Sequence, residues 1–119
     1  MSRKAYLIID IGTGNARVAV VTPDGDILGI TRENVHYITD TKYEESIYFE
    51  PEVLWNQILS LSKVALAEAG DVDILAITAT SQREGIVVLD EDGRSLLGMP
   101  NIDHRGRKWE SNLVDKDKV

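Results

Sequence analysis

The chain has 119 residues, 43% hydrophobic and 28% charged, with nine glycines, three prolines and no cysteine. That is the size and make-up of one compact domain, able to bury about two thirds of the surface it exposes when unfolded. Thirteen basic against twenty acidic side chains give a formal charge of −7, which argues against nonspecific capture of nucleic acid or an anionic membrane through phosphate neutralisation.

Without cysteine there is no disulfide, thiolate metal site or thiol nucleophile. Ser2-Arg3-Lys4 followed by an apolar run imitates a signal peptide, but Asp10 interrupts that run and no small-residue cleavage site follows. No stretch approaches the ~18 apolar residues of a membrane span. A soluble, cytoplasmic protein is expected.

In chain order, Tyr6 to Ile9 is continuously apolar and rich in β-branched residues, the pattern of a strand covered on both faces. Asp10 sits at its end, followed by Gly12-Thr13-Gly14-Asn15. The glycines permit positive φ and close approach of a ligand, and such a turn can present several N–H groups to an anion. A carboxylate beside a phosphate repels it unless it holds a divalent cation, directly or through water, so acid and turn together suggest a magnesium–nucleotide site. A tight hairpin whose Gly and Asn serve turn geometry is the alternative.

Ala16 to Val21 again reads as a strand, Thr22 to Asp26 as a turn, and Ile27 to about Val35 as a third strand closing an antiparallel meander. This order excludes a dinucleotide-binding fingerprint, which needs a helix directly after its glycines and a third glycine where Arg17 stands. The P-loop is excluded too, for want of Gly-Lys-Ser/Thr. His36 to Glu50 is a polar loop. Pro51 and Glu52 suit a helix start and Gly70 a stop. Between them Val53, Leu54, Ile58, Leu61, Ala65 and Leu66 recur at helical steps, which predicts an amphipathic crossover helix.

A fourth strand is expected at Ile74 to Thr80, a turn at Ser81 to Gly85, and a fifth strand at Ile86 to Leu89. After the turn Asp90 to Gly93, Ser95 to Ile102 is extended, His104 to Leu113 is a short helix, and 115–119 is a frayed polar tail. The fold class is therefore α/β: a mixed five-stranded sheet in the order 3-2-1-4-5, strand 4 parallel to strand 1. The crossover helix is right-handed. Asp10 and the Gln82-Arg83-Glu84 corner then share one edge of the sheet, where ligands of such sheets gather.

Gln82, Arg83 and Glu84 combine donors and acceptors suited to neighbouring hydroxyl or carbonyl groups. The same three residues also suit a solvated turn with an internal Arg–Glu pair. Asp103 can cap the helix after it, and Arg107 and Lys108 fit that helix's exposed face. His36 and His104 lack the partners of a zinc site, and Trp55 and Trp109 read as partly buried packing residues. No Ser-His-Asp or paired-carboxylate arrangement emerges, and no residue stands out as a general base.

Three segments, Asp10-Ile-Gly12-Thr13-Gly14-Asn15-Ala-Arg17, Ile77 through Ser81-Gln82-Arg83-Glu84-Gly85 to Gly93, and Asn101-Ile-Asp103-His-Arg105, resemble in register the N-terminal portion of the FGGY family of carbohydrate kinases. The likeness runs over nearly the whole chain, the Trp55 helix included. It implies an actin-like ATPase, ribonuclease-H-like half-domain and phosphoryl transfer from ATP, with Mg2+, to a hydroxyl of a small-molecule sugar, polyol or autoinducer-2-like substrate. No nucleic acid and no membrane is involved, and a homodimer is allowed.

By this resemblance Asp10 matches the acid that organises magnesium, through water, and Gly12, Thr13, Gly14 and Asn15 match the phosphate turn, with Arg17 the basic residue after it. Gln82, Arg83 and Glu84 match the sugar-contacting corner, and Asp103 and Arg105 match a Trp-x-Asp-x-Arg segment near the substrate. The Trp of that segment is Asn101 here, which removes an apolar wall against a sugar and looks most like the autoinducer-2 kinase branch, with the glycerol kinases nearby. Family members run to several hundred residues, so residues 1–119 are expected to be the N-terminal part of the first kinase domain, inactive alone, with the catalytic base and adenine pocket elsewhere. A noncatalytic binding or assembly module on the same half-fold is the competing reading.

Overall fold

The structure, a computed structural model, describes residues 2–113. Its elements are β1 (Arg3–Ile11), β2 (Asn15–Val21), β3 (Ile27–Asn34), α1 (Pro51–Ala69), β4 (Val72–Ser81), β5 (Ile86–Leu89), β6 (Ser95–Met99), a 3-10 turn (Arg105–Trp109) and a short α2 (Glu110–Leu113). The tail expected at 115–119 lies outside the described residues.

Four strands form one sheet in the order β3-β2-β1-β4, and β5 and β6 form a separate two-stranded sheet. The meander is antiparallel, and β4 lies parallel to β1 as expected. The five-stranded order is not: Ile86–Leu89 is a strand, but it pairs with β6 and not with β4. A short loop closes β5 onto β6, with the Asp90 carboxylate accepting the N–H groups of Asp92 and Arg94 at 2.9 Å each. Local closure of this kind costs little entropy.

The hairpin is tied to the body along β6, where the Ser95 hydroxyl donates to Glu52 Oε1 of α1 at 3.4 Å. Phe49 and Gly98 exchange backbone hydrogen bonds of 2.9 and 3.1 Å, and a Cβ on Gly98 would lie 2.4 Å from the Phe49 ring. Glycine at 98 is thus what lets the aromatic ring lie against the hairpin.

α1 begins at Pro51 with Glu52 in its first turn and ends at Gly70, whose φ is 80° and whose N–H donates to Leu66 O. The helix lies across β2 and β3. Its buried side chains are Gln57, Ile58, Leu61 and Ala65, whereas Val53, expected inward, is exposed. Gln57 takes the inner face instead because its amide donates to Asn34 O at 2.8 Å and Glu33 Oε2 at 3.0 Å. Contact with β3 is close: a Cβ on Gly29 would lie 2.3 Å from Ala65 O.

The core is small, made by Ala5, Leu7, Ala16, Val18, Val20, Val35, Leu61 and Ala65. Each larger aliphatic side chain among them contributes roughly 1.5–3 kcal/mol by leaving water. Most of β4 is exposed on both faces. The radius of gyration is 18.5 Å, against roughly 13.5 Å for a compact domain of this length, so the expectation of one compact body gives way to a sheet-and-helix unit with a projecting hairpin. No helix of the described residues is long and apolar enough to cross a membrane.

Candidate active site

The carboxyl ends of β1 and β4 lie side by side. Parallel register places Thr80 beside Asp10 and Ser81 beside Ile11, so the turns that follow, Gly12–Gly14 and Gln82–Gly85, begin next to each other. This is the shared edge expected of Asp10 and Gln82-Arg83-Glu84.

Asp10 stands across from Arg17 in the antiparallel register, and Arg17 Nη1 donates to Asp10 Oδ2 at 3.0 Å. Both side chains are about two-fifths exposed, 43% and 38%, so the pair contributes little to stability and leaves Arg17 free to turn toward an anion. The glycine turn is closed by Gly12 N–H donating to Asn15 O at 2.8 Å. Neither Gly12 nor Gly14 has positive φ, contrary to the conformational reason expected for them. A Cβ on Gly14 would meet no protein atom within 4 Å, so protein packing does not require glycine there either, and the Thr13 and Gly14 N–H groups donate no hydrogen bond among the described residues. The turn thus offers two free donors beside open room.

The loop after β3 grips this turn. Val35 N–H donates to Gly14 O at 2.9 Å and the Tyr37 hydroxyl donates to Thr13 O. Burial pushes the Tyr37 hydroxyl above its ordinary 10.0, and neighbouring Gln82 pulls it part way back, so it stays a donor. The Tyr37 ring meets Phe49 edge-on, 6.4 Å between centroids. Nothing in the sequence marks Tyr37 except its being an aromatic residue in a polar loop, and its role was not foreseen.

Arg83 and Glu84 are exposed, and among the described residues neither belongs to an ion pair; the internal Arg–Glu pair does not form. Glu84 has φ 59°, a conformation that costs a non-glycine residue about 1 kcal/mol or more. Gln82 is folded beneath Gly85, where a Cβ would come within 3.0 Å of Gln82 Cγ, and its Oε1 accepts the Asn101 N–H at 3.1 Å. The Asn101 side chain in turn accepts the Thr13 hydroxyl at 3.0 Å. A cleft of about 290 Å³ opens between α1 and β5, with Leu54, Trp55, Ile58 and Ile86 in its walls and Ser81 and Gln82 its only polar residues. Arg83 and Glu84 do not line it. Trp55 is 54% exposed, less covered than expected.

Asp103 and Arg105 are spent on each other. Arg105 Nη2 lies 2.7 Å from Asp103 Oδ2, with 19% and 5% of the two side chains exposed. Asp103 also accepts the N–H of Arg105 at 3.1 Å, which starts the 3-10 turn, and the N–H of Ile47 at 3.0 Å. Burial pushes the Asp103 carboxyl up, but the Arg105 and Ile47 hydrogen bonds and the Arg105 charge outweigh it and hold the carboxyl below its ordinary 3.8. The Arg105 guanidinium lies over Tyr43 and Tyr48 at 5.7 and 6.0 Å. The pair fastens the loop before α1 to the segment after β6. Among the described residues no group of three or more His, Cys, Asp or Glu is placed to hold a metal; Asp10 is a lone carboxylate.

Comparison with known proteins gives the family and the fold. The sequence model of the N-terminal domain of the FGGY family of carbohydrate kinases matches residues 5–113. YoaC of Bacillus subtilis (strain 168), a candidate sugar kinase, is 51% identical over 98% of this chain and 24% of its own length. Glycerol kinase of Xanthobacter autotrophicus is 34% identical over 89% of this chain and 20% of its own, and an autoinducer-2 kinase of Escherichia coli (strain SMS-3-5 / SECEC) is 28% identical over 94% and 22%. Among solved structures, xylulose kinase from Rhodospirillum rubrum superposes with a TM-score of 0.82 at 17% identity, covering 97% of this chain and 24% of that one. Plasmodium falciparum glycerol kinase with ADP gives 0.81 at 21%, with the same two coverages. The sheet and crossover helix are thus those of the actin-like half-domain, and the chain spans about a quarter or less of the length of these relatives.

Proposed function

The chain belongs to the FGGY family of carbohydrate kinases, and we propose that it supplies the phosphate turn and the acceptor corner of an enzyme that moves the terminal phosphoryl group of ATP to a hydroxyl of a sugar, polyol or autoinducer-2-like molecule. The observation that carries this reading is the adjacency of the Gly12–Gly14 turn and the Gln82–Glu84 corner at the ends of two parallel strands. Free Thr13 and Gly14 N–H groups suit phosphate oxygens. Arg17 suits the charge that spreads over a transferring phosphoryl group.

Asp10 fits a magnesium ion: Arg17 occupies Oδ2, Oδ1 has no partner among the described residues, and magnesium is held by one or two carboxylates together with waters and phosphate oxygens. Magnesium bound there would neutralise phosphate charge. Arg83 and Glu84, exposed and unpaired, have their hydrogen-bonding capacity free for acceptor hydroxyls. Asp103 and Arg105, being paired, support the site by holding backbone in place. Asp10 being engaged with Arg17 and the cation, and Glu84 being kept for the acceptor, the catalytic base and the adenine pocket are assigned to polypeptide beyond these residues.

A coupled assay of ADP release tests this in the full polypeptide, with glycerol, xylulose, gluconate and autoinducer-2 as acceptors. Asp10→Asn is expected to lower turnover roughly 100-fold, and Arg83→Ala to raise the acceptor KM about ten-fold. Wild-type turnover in Asp10→Asn would remove the magnesium role. Turnover by the 119-residue chain alone would show that the base lies within it.

A further inference from the structure

Four residues from four separate segments meet in one run of hydrogen bonds. Tyr37, after β3, donates to the Thr13 carbonyl. The Thr13 hydroxyl, in the glycine turn, donates to Asn101 Oδ1 at 3.0 Å. Asn101, after β6, donates its backbone N–H to Gln82 Oε1 at 3.1 Å. The Gln82 side chain is held under Gly85. Each half of the candidate site thus touches Asn101: the phosphate turn through its side chain, the acceptor corner through its backbone.

We propose that Asn101 is a positioning residue that latches the phosphate turn to the acceptor corner, so that binding at one changes affinity at the other; this rests on the kinase reading above. Thr13 is the lever. Its hydroxyl can serve Asn101 or a phosphate oxygen but has one proton to donate, and its carbonyl is already held by Tyr37. An acceptor that draws Gln82 toward itself pulls on the Asn101 N–H and so on the oxygen that Thr13 meets. Coupling between two ligands requires such an element, with different contacts in its two states.

The test uses the full polypeptide labelled on threonine methyl groups, the Thr13 resonance being assigned from Thr13→Ser. Asn101→Leu removes the acceptor oxygen at similar volume, and Asn101→Asp keeps an acceptor oxygen. Without any ligand, Asn101→Leu is expected to shift the Thr13 methyl resonance, and Asn101→Asp to leave it near its wild-type position. An unmoved Thr13 resonance in Asn101→Leu overturns the latch, whatever the enzyme's activity.

Kinetics supply the second arm. Asn101→Leu is expected to change the KM for Mg-ATP three- to ten-fold, the range of one hydrogen bond, and to abolish the dependence of that KM on acceptor concentration. Thr13→Val is expected to act non-additively with it. Additive effects on that KM, or an unchanged acceptor dependence in Asn101→Leu, overturn the coupling. Should the wild type phosphorylate no acceptor, the kinase reading fails by itself, and the methyl resonance still decides the latch.

Discussion

At the scale of single residues, Gly14 separates the needs of the fold from those of a ligand. Its φ is negative and nothing stands within 4 Å of a Cβ built on it, so the chain has no conformational reason for glycine there. Gly14→Ala is expected to leave stability unchanged or to raise it by about 0.5 kcal/mol, through the unfolded state, as read by urea unfolding. In the full polypeptide the same change is expected to raise the KM for Mg-ATP at least about ten-fold, because the methyl group enters the space left for a phosphate. A loss of stability with an unchanged KM would reverse the interpretation.

At the scale of elements, the β5–β6 hairpin and the loop before α1 are held by few contacts, and each contact can be addressed. Gly98→Val drives a side chain into the Phe49 ring, which approaches a built Cβ to 2.4 Å. The expected result is faster hydrogen exchange in β5 and β6, with the amides of β1, β2 and β3 still protected. Equal acceleration throughout would mean that the hairpin and the sheet unfold as one.

The Asp103–Arg105 pair gives a pH dependence with a definite sign. The folded carboxyl titrates below its ordinary 3.8, so the unfolded chain binds more protons in that range. The pair's contribution is therefore complete above about pH 5 and is lost as pH falls below about 4. Asp103→Asn is expected to lower stability by roughly 3 kcal/mol at neutral pH, leaving Arg105 partly buried without its partner. It should also make the fall in stability below pH 4 shallower. A parallel fall in both proteins, followed by urea midpoints, would show that other carboxylates control it.

At the scale of the whole molecule, what stands out is how much apolar surface the 119 residues leave in water. Leu75, Ile77, Leu89 and Leu96 are 46, 64, 56 and 64% exposed, and β4 presents an edge with no partner strand among the described residues. Surface of this kind binds dyes and promotes association. The isolated chain is expected to bind ANS and to elute at a concentration-dependent size in gel filtration, with Ile77→Lys reducing both. A dye-free monomer at about 100 µM would contradict this.

The strands of the meander, the limits of α1 and the parallel placement of β4 were legible in the sequence because each rests on local rules. Apolar runs of β-branched residues, Pro51 at the start and Gly70 at the end, and a crossover long enough to hold a helix all act over a few residues. The shared edge of Asp10 and Gln82 followed from that topology. Three things were settled only by tertiary contacts. Ile86–Leu89 pairs with β6 because a short hairpin closes at low entropic cost, while its hydrophobicity alone says nothing about its neighbour. Asp103 and Arg105 satisfy each other because their loop is buried against Ile47, Tyr43 and Tyr48. The Tyr37–Thr13–Asn101–Gln82 run joins residues as far as 88 positions apart, and no local pattern encodes a hydrogen bond between segments that only the folded sheet brings together.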